Sequence, residues 1–428
     1  MKFLIIGHYH SANRGDAAIL DGLIGLLRRK WPHAEFGVLT AYPDIIRDMH
    51  GIPAAVDAIT SRRYNMLHLI RKRWETHHLS RVLQNEKVDS FPEGAKDQRL
   101  AAKAYLWADV VIAAGGSYLH DLYRKPLIGY YMEIELAKKL RKPVLLIGHS
   151  LGPYRGIFSR WLAKDVLSNV DLLTVREPVS LNVLSSLGIP SSDEFCTLDT
   201  AFALRSADKK NGQKLLASEG VDVNLAPILT VSVRHWRFYK KGHKTGHLQY
   251  VNAVTTALKQ FAARQKVQIV FLSTATTLGG YKVSDIPYAM EIAERLDLPV
   301  KPVVMKGEYR PEELKDMYSV ADLHFGTRMH SCILAISAKT PAVAVIYEEK
   351  TRGLMRLLKM EDWMIDIETI DGAALLALLN LAWQSRNAIS AHIQGLEAVI
   401  HKLTEQNLTL IINTLLKYEG KTGGHVKT

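Results

Sequence analysis

The feature that most constrains the fold of this chain is an alternation that runs along most of its length. Short runs rich in Val, Ile and Leu take turns with longer stretches in which apolar residues recur at helical spacing. Parallel sheets covered by helices have this pattern, because their strands are buried on both faces. The sequence therefore predicts an α/β protein, and nearly every apolar run ends in a polar or glycine-rich turn.

The predicted strands fall into two groups. The first group is predicted at residues 2–7, 35–40, 109–114, 143–148, 172–176 and 194–198. After a charged, polar passage, the second is predicted at residues 228–234, 267–273, 300–305, 323–326, 342–347 and 364–367. This restart predicts two domains that join near residues 205–225.

We therefore predict a first domain at residues 1–210 and a second at 211–370. Residues 371–418 have a helical pattern without strand runs, and the Gly- and Lys-rich residues 419–428 are predicted to form a frayed tail. Ligands of such sheets bind beyond the carboxyl ends of the strands, and two domains of similar size leave a cleft. Functional residues are therefore expected at the strand ends.

Composition limits the class of protein. With 428 residues, 47% of them apolar, the chain can form two packed cores. No apolar run reaches the roughly 18 residues of a membrane-spanning helix, and no secretory leader follows Met1, so a cytoplasmic protein is expected. Cys196 and Cys332 are too few for a disulfide framework. The formal charge of +12 favours an anionic partner without selecting nucleic acid, acidic phospholipid or a charged sugar carrier.

One segment, from Arg62 to Arg81, concentrates positive charge. It holds six Arg and Lys residues against the single acid Glu75, with apolar and aromatic residues between them. This pattern suits a basic amphipathic helix at a membrane surface or beside a lipid-linked pyrophosphate. A solvated face of the fold explains it at least as well.

The densest set of candidate site residues lies at strand ends of the predicted second domain. Arg328 and His330 follow one strand, Lys350 follows the next, and Arg234 ends the strand that opens the domain. Four cationic or protonatable groups without matching acids would repel one another unless an anion lay between them. They predict a site for a small anion that carries phosphate, carboxylate or both.

Polar residues also follow the strands of the predicted first domain. Helix starts and glycine turns there expose N–H groups that could hold an anion or a sugar hydroxyl. The alternatives are a capping turn, a tight turn, a structural histidine and an Arg176–Glu177 ion pair. The candidates are Asn13, Gly15, Asp16, Gly115, Gly116, Ser117, His149, Arg176 and Asp199.

Taken in order, these motifs resemble those of the polysaccharide pyruvyl transferase family over about residues 2–370. The likeness is greatest to the colanic acid and amylovoran type of enterobacterial exopolysaccharide enzyme. Two departures concern the acceptor side, namely Ser117 where many members have a third glycine, and Glu177 where Asp is common. The motifs are Asn13-x-Gly15-Asp16, Gly115-Gly116-Ser117, His149-Ser150-Leu151-Gly152-Pro153, Arg176-Glu177, Asp199-Thr200-Ala201-Phe202, Gly326-x-Arg328-x-His330-Ser331 and Tyr347-x-x-Lys350.

The resemblance implies two Rossmann-like domains in a GT-B-like arrangement, followed here by the helical C-terminal segment. It also implies transfer of pyruvate from phosphoenolpyruvate to a sugar, which we take as galactose of a lipid-linked repeat unit, with a ketal formed across two hydroxyls. Arg328 and His330 are then donor contacts and Lys350 is a partner. Because phosphoenolpyruvate carries a phosphate and a carboxylate, Arg234 and Arg176 are added to the donor set. The acceptor set is Asn13, Gly15, Asp16, Gly115, Gly116, Ser117 and Asp199.

The reaction needs a proton donor and a proton acceptor. His330 is predicted to protonate C3 of the enol or the leaving phosphate, with His149 as the alternative or helper, and Asp16 or Asp199 as the base. No metal and no cofactor are expected, because arginines neutralise the phosphate. Replacing Arg328 by Ala is expected to abolish transfer and leave the fold intact.

Two other functions stay open. A glycosyltransferase of the same architecture would hold a nucleotide-sugar diphosphate with similar arginines and lysines. A nonenzymatic binder of nucleic acid or another anionic polymer would explain the net charge, and its binding would weaken strongly with salt.

Overall fold

A computed structural model describes residues 1–8, 10–57, 79–81, 83, 96–121, 124–237, 239–240 and 242–422. By their contacts these residues divide into two compact units. Unit 1 consists of Met1–Ser11, Ile19–Ala203 and the described residues from His401 onward. Unit 2 consists of Ala12–Ala18 and Leu204–Ile400.

Unit 1 is built on a seven-stranded parallel sheet. The strand order is β3-β2-β1-β4-β6-β5, and β7 also pairs with β6. The central strands are buried along their whole length, which explains their continuous apolar runs. The strands are β1 (Lys2–Ile6), β2 (Glu35–Thr40), β3 (Ala54–Val56), β4 (Val110–Ala113), β5 (Gly116–Leu119), β6 (Val144–Leu151) and β7 (Leu172–Val175).

Unit 2 has a six-stranded sheet, also parallel, in the order β10-β9-β8-β11-β12-β13. Strands β8 and β11 are adjacent at its centre, so the turns that follow them share one edge of the sheet. The strands are β8 (Ile228–Ser232), β9 (Gln268–Phe271), β10 (Val303–Val304), β11 (Leu323–Gly326), β12 (Ala342–Ile346) and β13 (Met364–Asp366).

Helices connect the strands. Those of the described residues are α1 (Arg14–Lys30), α2 (Pro43–His50), α3 (Lys96–Trp107), α4 (Arg124–Lys139), α5 (Ile157–Leu167), α6 (Pro178–Ser186), α7 (Lys209–Ser218), α8 (His243–Gln265), α9 (Ile286–Arg295), α10 (Pro311–Tyr318), α11 (Met329–Ser337), α12 (Glu349–Leu357), α13 (Gly372–Gln384), α14 (Arg386–Gly395) and α15 (Glu397–Thr422). None of them is both long enough and apolar enough to cross a membrane.

The predicted α/β class is confirmed, with three differences in unit 1, the first being that β3 is absent from the predicted strands. The strand predicted at residues 194–198 is wrong: Asp193–Phe195 form a 3-10 turn, and only Cys196 makes a bridge to Val175. The turn predicted after residue 114 contains strand β5, which pairs with β6 beyond Gly148. Gly148 has a φ of 68°, and the pairing of β5 and β7 with β6 shifts register nearby.

The predicted domain limits stay a prediction. By contacts the chain changes unit between Ala203 and Leu204, and residues 12–18 group with unit 2. Of the predicted C-terminal helical segment, α13 and α14 lie in unit 2, whereas α15 continues into unit 1. Helix α15 extends to Thr422, so the first residues of the predicted tail are helical. Residues 423–428 and most of the basic segment lie outside the described residues.

Candidate active site

The turn from β11 into α11 positions two of the predicted residues. Strand β11 ends at Gly326, and Arg328 is the N-cap of α11, so His330 lies in the first turn of this helix. A Cβ atom at Gly326 would lie 2.6 Å from the Ser331 hydroxyl oxygen. The glycine therefore lets the helix start close against its own strand.

Arg328 is buried and forms an ion pair with Asp285, the N-cap of α9. Its Nε donates to both carboxylate oxygens at 3.1 and 3.0 Å, and its Nη2 donates to Oδ1 at 2.5 Å. Burial disfavours the charged guanidinium, but the Asp285 carboxylate more than offsets this, and the pKa of Arg328 is raised above its usual value. The prediction that Arg328 has no matching acid is therefore wrong.

Tyr347, the residue after β12, is a common neighbour of three predicted cations. The Arg234 Cζ lies 4.4 Å from the centre of its ring and the Lys350 Nζ 5.8 Å. Tyr347 also acts electrostatically on Arg328. The structure thus brings Arg234 and Lys350 to one aromatic ring in unit 2, and Arg328 lies close enough for Tyr347 to raise its pKa.

These three cations differ in their acidic partners. Lys350 forms an ion pair with Glu348 at 2.6 Å, so the predicted lack of an acid is wrong for this residue as well. Arg234 packs against the adjoining rings of Tyr347 and Trp236, and no carboxylate among the described residues is within ion-pair distance of it. Arg234 therefore provides a positive charge that the described acids leave unneutralised.

The predicted acceptor loop after β1 belongs to unit 2. Asn13 forms an antiparallel bridge with Ala275, and its side-chain oxygen accepts the N–H of Gly15 at 3.1 Å. A Cβ atom at Gly15 would lie 2.2 Å from Nδ1 of His330. Asp16 follows in the first turn of α1, half-buried. The structure therefore places this loop directly against the predicted proton donor.

Sequence reasoning missed a further ion pair beside that loop, in which the arginine is buried and the carboxylate is partly exposed. Arg14 is 1% exposed, and its Nη2 donates to Oε2 of Glu308. The Thr276 hydroxyl donates to the same oxygen at 2.7 Å. Burial, partly offset by Glu308, lowers the pKa of Arg14. Glu308 follows β10, so the strand-end argument that selected Arg328 could also have selected it.

The unit 1 candidates engage one another. Nη1 of Arg176 donates to Oδ2 of Asp199 at 2.5 Å, and its Nε donates to the Ser150 hydroxyl at 2.8 Å. Both charged side chains are buried. The predicted donor contact Arg176 and the predicted base Asp199 thus form one ion pair, and this pair is explained without a ligand.

His149 is completely buried, with Nε2 3.2 Å from the Ala113 carbonyl oxygen. Burial is the main reason that the pKa of His149 is lowered to about 3. At neutral pH this imidazole has no proton to release as an acid, which favours His330 for that role.

The glycines of the third predicted turn lie at the start of β5 and against the backbone of β6. Gly116 and Ser117 are the first residues of β5. The prediction of a turn at these two positions is therefore wrong. A Cβ atom at Gly115 would lie 2.7 Å from the carbonyl oxygens of Ile147 and Gly148. Their predicted role in acceptor binding stays a prediction.

Comparison with known proteins decides the family. The model of the polysaccharide pyruvyl transferase family matches residues 13–349, which include the β11–α11 turn and the Gly15 loop. The chain belongs to this family. A similar protein is the amylovoran biosynthesis protein AmsJ of Erwinia amylovora, 27% identical over 387 residues, which are 89% of this chain and 91% of AmsJ. The protein is thus a polysaccharide pyruvyl transferase, as the motifs predict.

Solved structures confirm the predicted fold of this pyruvyl transferase. Anabaena HepE, crystallised with UDP and glucose, has a TM-score of 0.57 and 15% identity, over 97% of this chain and 99% of HepE. A glycosyltransferase of Rickettsia africae has a TM-score of 0.57 and 13% identity, over 98% of both chains. These likenesses show the fold alone, which is that of GT-B proteins with two Rossmann-like domains.

Proposed function

We propose that this pyruvyl transferase uses phosphoenolpyruvate as donor and forms a pyruvate ketal on a sugar, galactose, of an exopolysaccharide repeat unit. The observation that carries the proposal is a group of three cations, in which Arg234 and Lys350 contact the ring of Tyr347 and Arg328 lies close enough for Tyr347 to raise its pKa. A small dianion with two acidic groups matches such a group, because each acidic group can take its own cation.

The Asp285 ion pair is compatible with donor binding by Arg328. Asp285 engages Nε and Nη2 of the guanidinium and does not engage Nη1. A guanidinium has five N–H donors, so the same arginine can bind a second anionic group. Asp285 then fixes the orientation of Arg328, while Arg234 supplies charge that no described acid neutralises.

In the proposed reaction His330 donates a proton to C3 of phosphoenolpyruvate, and C2 becomes cationic. One sugar hydroxyl adds to C2 and loses its proton, the C2–O bond to phosphate breaks, and a second hydroxyl closes the ketal. His330 is half-buried beside Gly15, which suits a group that must meet substrate and exchange protons. The chemistry uses substrate atoms and side chains and requires no cofactor or metal.

The acceptor is proposed to be lipid-linked and the protein cytoplasmic, with the segment from Arg62 to Arg81 held at the membrane surface. The positive charge of that segment supports this part, since anionic lipid headgroups attract such sequences. Of the proposed acceptor contacts, Gly15 lies directly against His330, and Asn13 and Asp16 belong to the same loop.

The test is to incubate the purified protein with phosphoenolpyruvate and a galactose-containing acceptor. We expect equal amounts of released phosphate and of acceptor with the added mass of a pyruvate ketal. A parallel reaction with UDP-glucose tests the glycosyltransferase alternative. UDP-glucose is chosen because HepE, which has a similar fold, was crystallised with UDP and glucose. Hexose transfer from UDP-glucose, with no ketal from phosphoenolpyruvate, would refute the proposed function.

A further inference from the structure

Glu308 presents a carboxylate whose two oxygens have different environments. Oε2 receives hydrogen bonds from the buried Arg14 and from Thr276. Oε1 receives none from a described residue, and the side chain is 41% exposed. The carboxylate is thus fixed through one oxygen, and the side chain is exposed enough to meet a ligand. A group anchored in this way is preorganised to bind a ligand.

The anchor of Glu308 connects it to both predicted donor residues. Arg14 directly precedes Gly15, the residue that lies against His330. Thr276 follows Ala275, whose carbonyl oxygen accepts the N–H of Asp285 at 2.9 Å, and Asp285 holds Arg328. All of these residues lie in unit 2. Glu308 is therefore attached to the framework that positions Arg328 and His330.

The charge of Glu308 selects the kind of group that it can bind. Phosphoenolpyruvate is anionic and would be repelled by a carboxylate. A sugar hydroxyl, in contrast, donates a hydrogen bond to a carboxylate, and such charge-assisted bonds are about twice as strong as neutral ones. An exposed carboxylate beside an anion site therefore fits the acceptor and not the donor.

We propose that Glu308 binds a hydroxyl of the acceptor sugar and takes its proton, in place of the predicted bases Asp16 and Asp199. This proposal rests on the proposed function. As the hydroxyl oxygen forms its bond to C2 of the donor, the O–H bond breaks and the proton passes to Oε1 of Glu308. The resulting carboxylic acid then releases the proton to water, and no further reactant is needed.

The experiment compares Glu308→Gln with Glu312→Gln in the phosphoenolpyruvate assay. Glu312 is a matched control, because it is also partly exposed, at 39%, and also holds an arginine, Arg205. For Glu308→Gln we expect kcat/KM for the acceptor to fall about 10- to 100-fold, the effect of losing a hydrogen bond to a charged group. The affinity for phosphoenolpyruvate, measured by calorimetry, should stay within about twofold. Glu312→Gln should match the wild type.

Further readouts separate a base from a residue that only supports the fold. A base predicts that the wild-type rate falls toward acidic pH and that Glu308→Gln loses this dependence. If that variant melts below the assay temperature because Arg14 loses this carboxylate, Glu308→Asp replaces it, since it keeps the charge and moves the carboxylate back by one methylene group.

Unchanged acceptor kinetics, or an equal loss of donor affinity, would overturn the role of Glu308. A wild-type protein that makes no ketal from phosphoenolpyruvate would instead overturn the proposed function.

Discussion

Arg328→Met is expected to show no measurable transfer and to unfold at a lower denaturant concentration than the wild type. Arg328 is proposed to bind the donor, and it also neutralises Asp285, whose side chain is only 1% exposed. Removing one partner of a buried ion pair typically costs about 3–5 kcal/mol, because the other charge stays buried and uncompensated. Urea unfolding and the phosphoenolpyruvate assay measure the two effects. The expectation from the sequence that the fold would stay intact is thereby revised.

The double variant Arg328→Met/Asp285→Leu separates stability from activity. With both charges gone, most of the lost free energy of unfolding should return, while activity stays absent. Lys339→Met is the control, because the Lys339–Glu397 pair is exposed and should contribute under about 1 kcal/mol. Wild-type stability of Arg328→Met would contradict the buried pair, and wild-type activity would contradict the donor site.

His330→Asn is expected to lower kcat by about 10²- to 10⁴-fold, the usual contribution of a positioned proton donor. Gly15→Ala should cause a loss of similar size, although it leaves the imidazole group itself in place. Its Cβ atom would lie 2.2 Å from Nδ1 and 2.5 Å from Cγ of His330, so the ring must move. A displacement of about 1 Å in a catalytic group is enough for a large loss of rate.

A double-mutant cycle tests whether Gly15 acts through His330. The His330→Asn variant lacks the imidazole ring that a Cβ atom at Gly15 would displace. In this background Gly15→Ala should therefore cost little more activity. Gly25→Ala, in the same helix, is the control, because a Cβ atom there meets nothing within 4 Å. It should be neutral or stabilising, by up to about 1 kcal/mol. Independent, multiplicative losses in the double variant would show that Gly15 has a different role.

Much of the fold could be predicted because its strands are buried on both faces. Glu35–Thr40 and Leu323–Gly326 have the predicted limits. The strand predictions were wrong in two situations. One is an apolar segment that does not pair along its length, and the other is a paired segment that begins with a glycine. Glu194 to Leu198 are predicted to form a strand, yet of these only Cys196 forms a bridge to β7. Strand β5 begins with a glycine and was interpreted as a turn, and its pairing with β6 depends on contacts distant in sequence.

The site was predictable to the extent that it follows strand ends. That argument found Arg234 and Lys350, which contact the ring of Tyr347, and Arg328, whose pKa Tyr347 raises. It did not find Asp285, which lies 43 residues before Arg328 and at the start of a helix. It also assigned the Gly15 loop to the first domain, because connectivity along the chain does not reveal that residues 12–18 pack with unit 2.

Calorimetric titration of phosphoenolpyruvate into the wild type and Arg234→Met tests the central claim most directly. Arg234 packs against two aromatic rings and has no described carboxylate partner, so methionine can replace it without leaving a buried charge unpaired. We expect the wild type to bind phosphoenolpyruvate and Arg234→Met to bind it at least about 10-fold more weakly, with an unchanged melting temperature. Equal affinities in the two proteins would contradict the claim that this cluster of cations holds the donor.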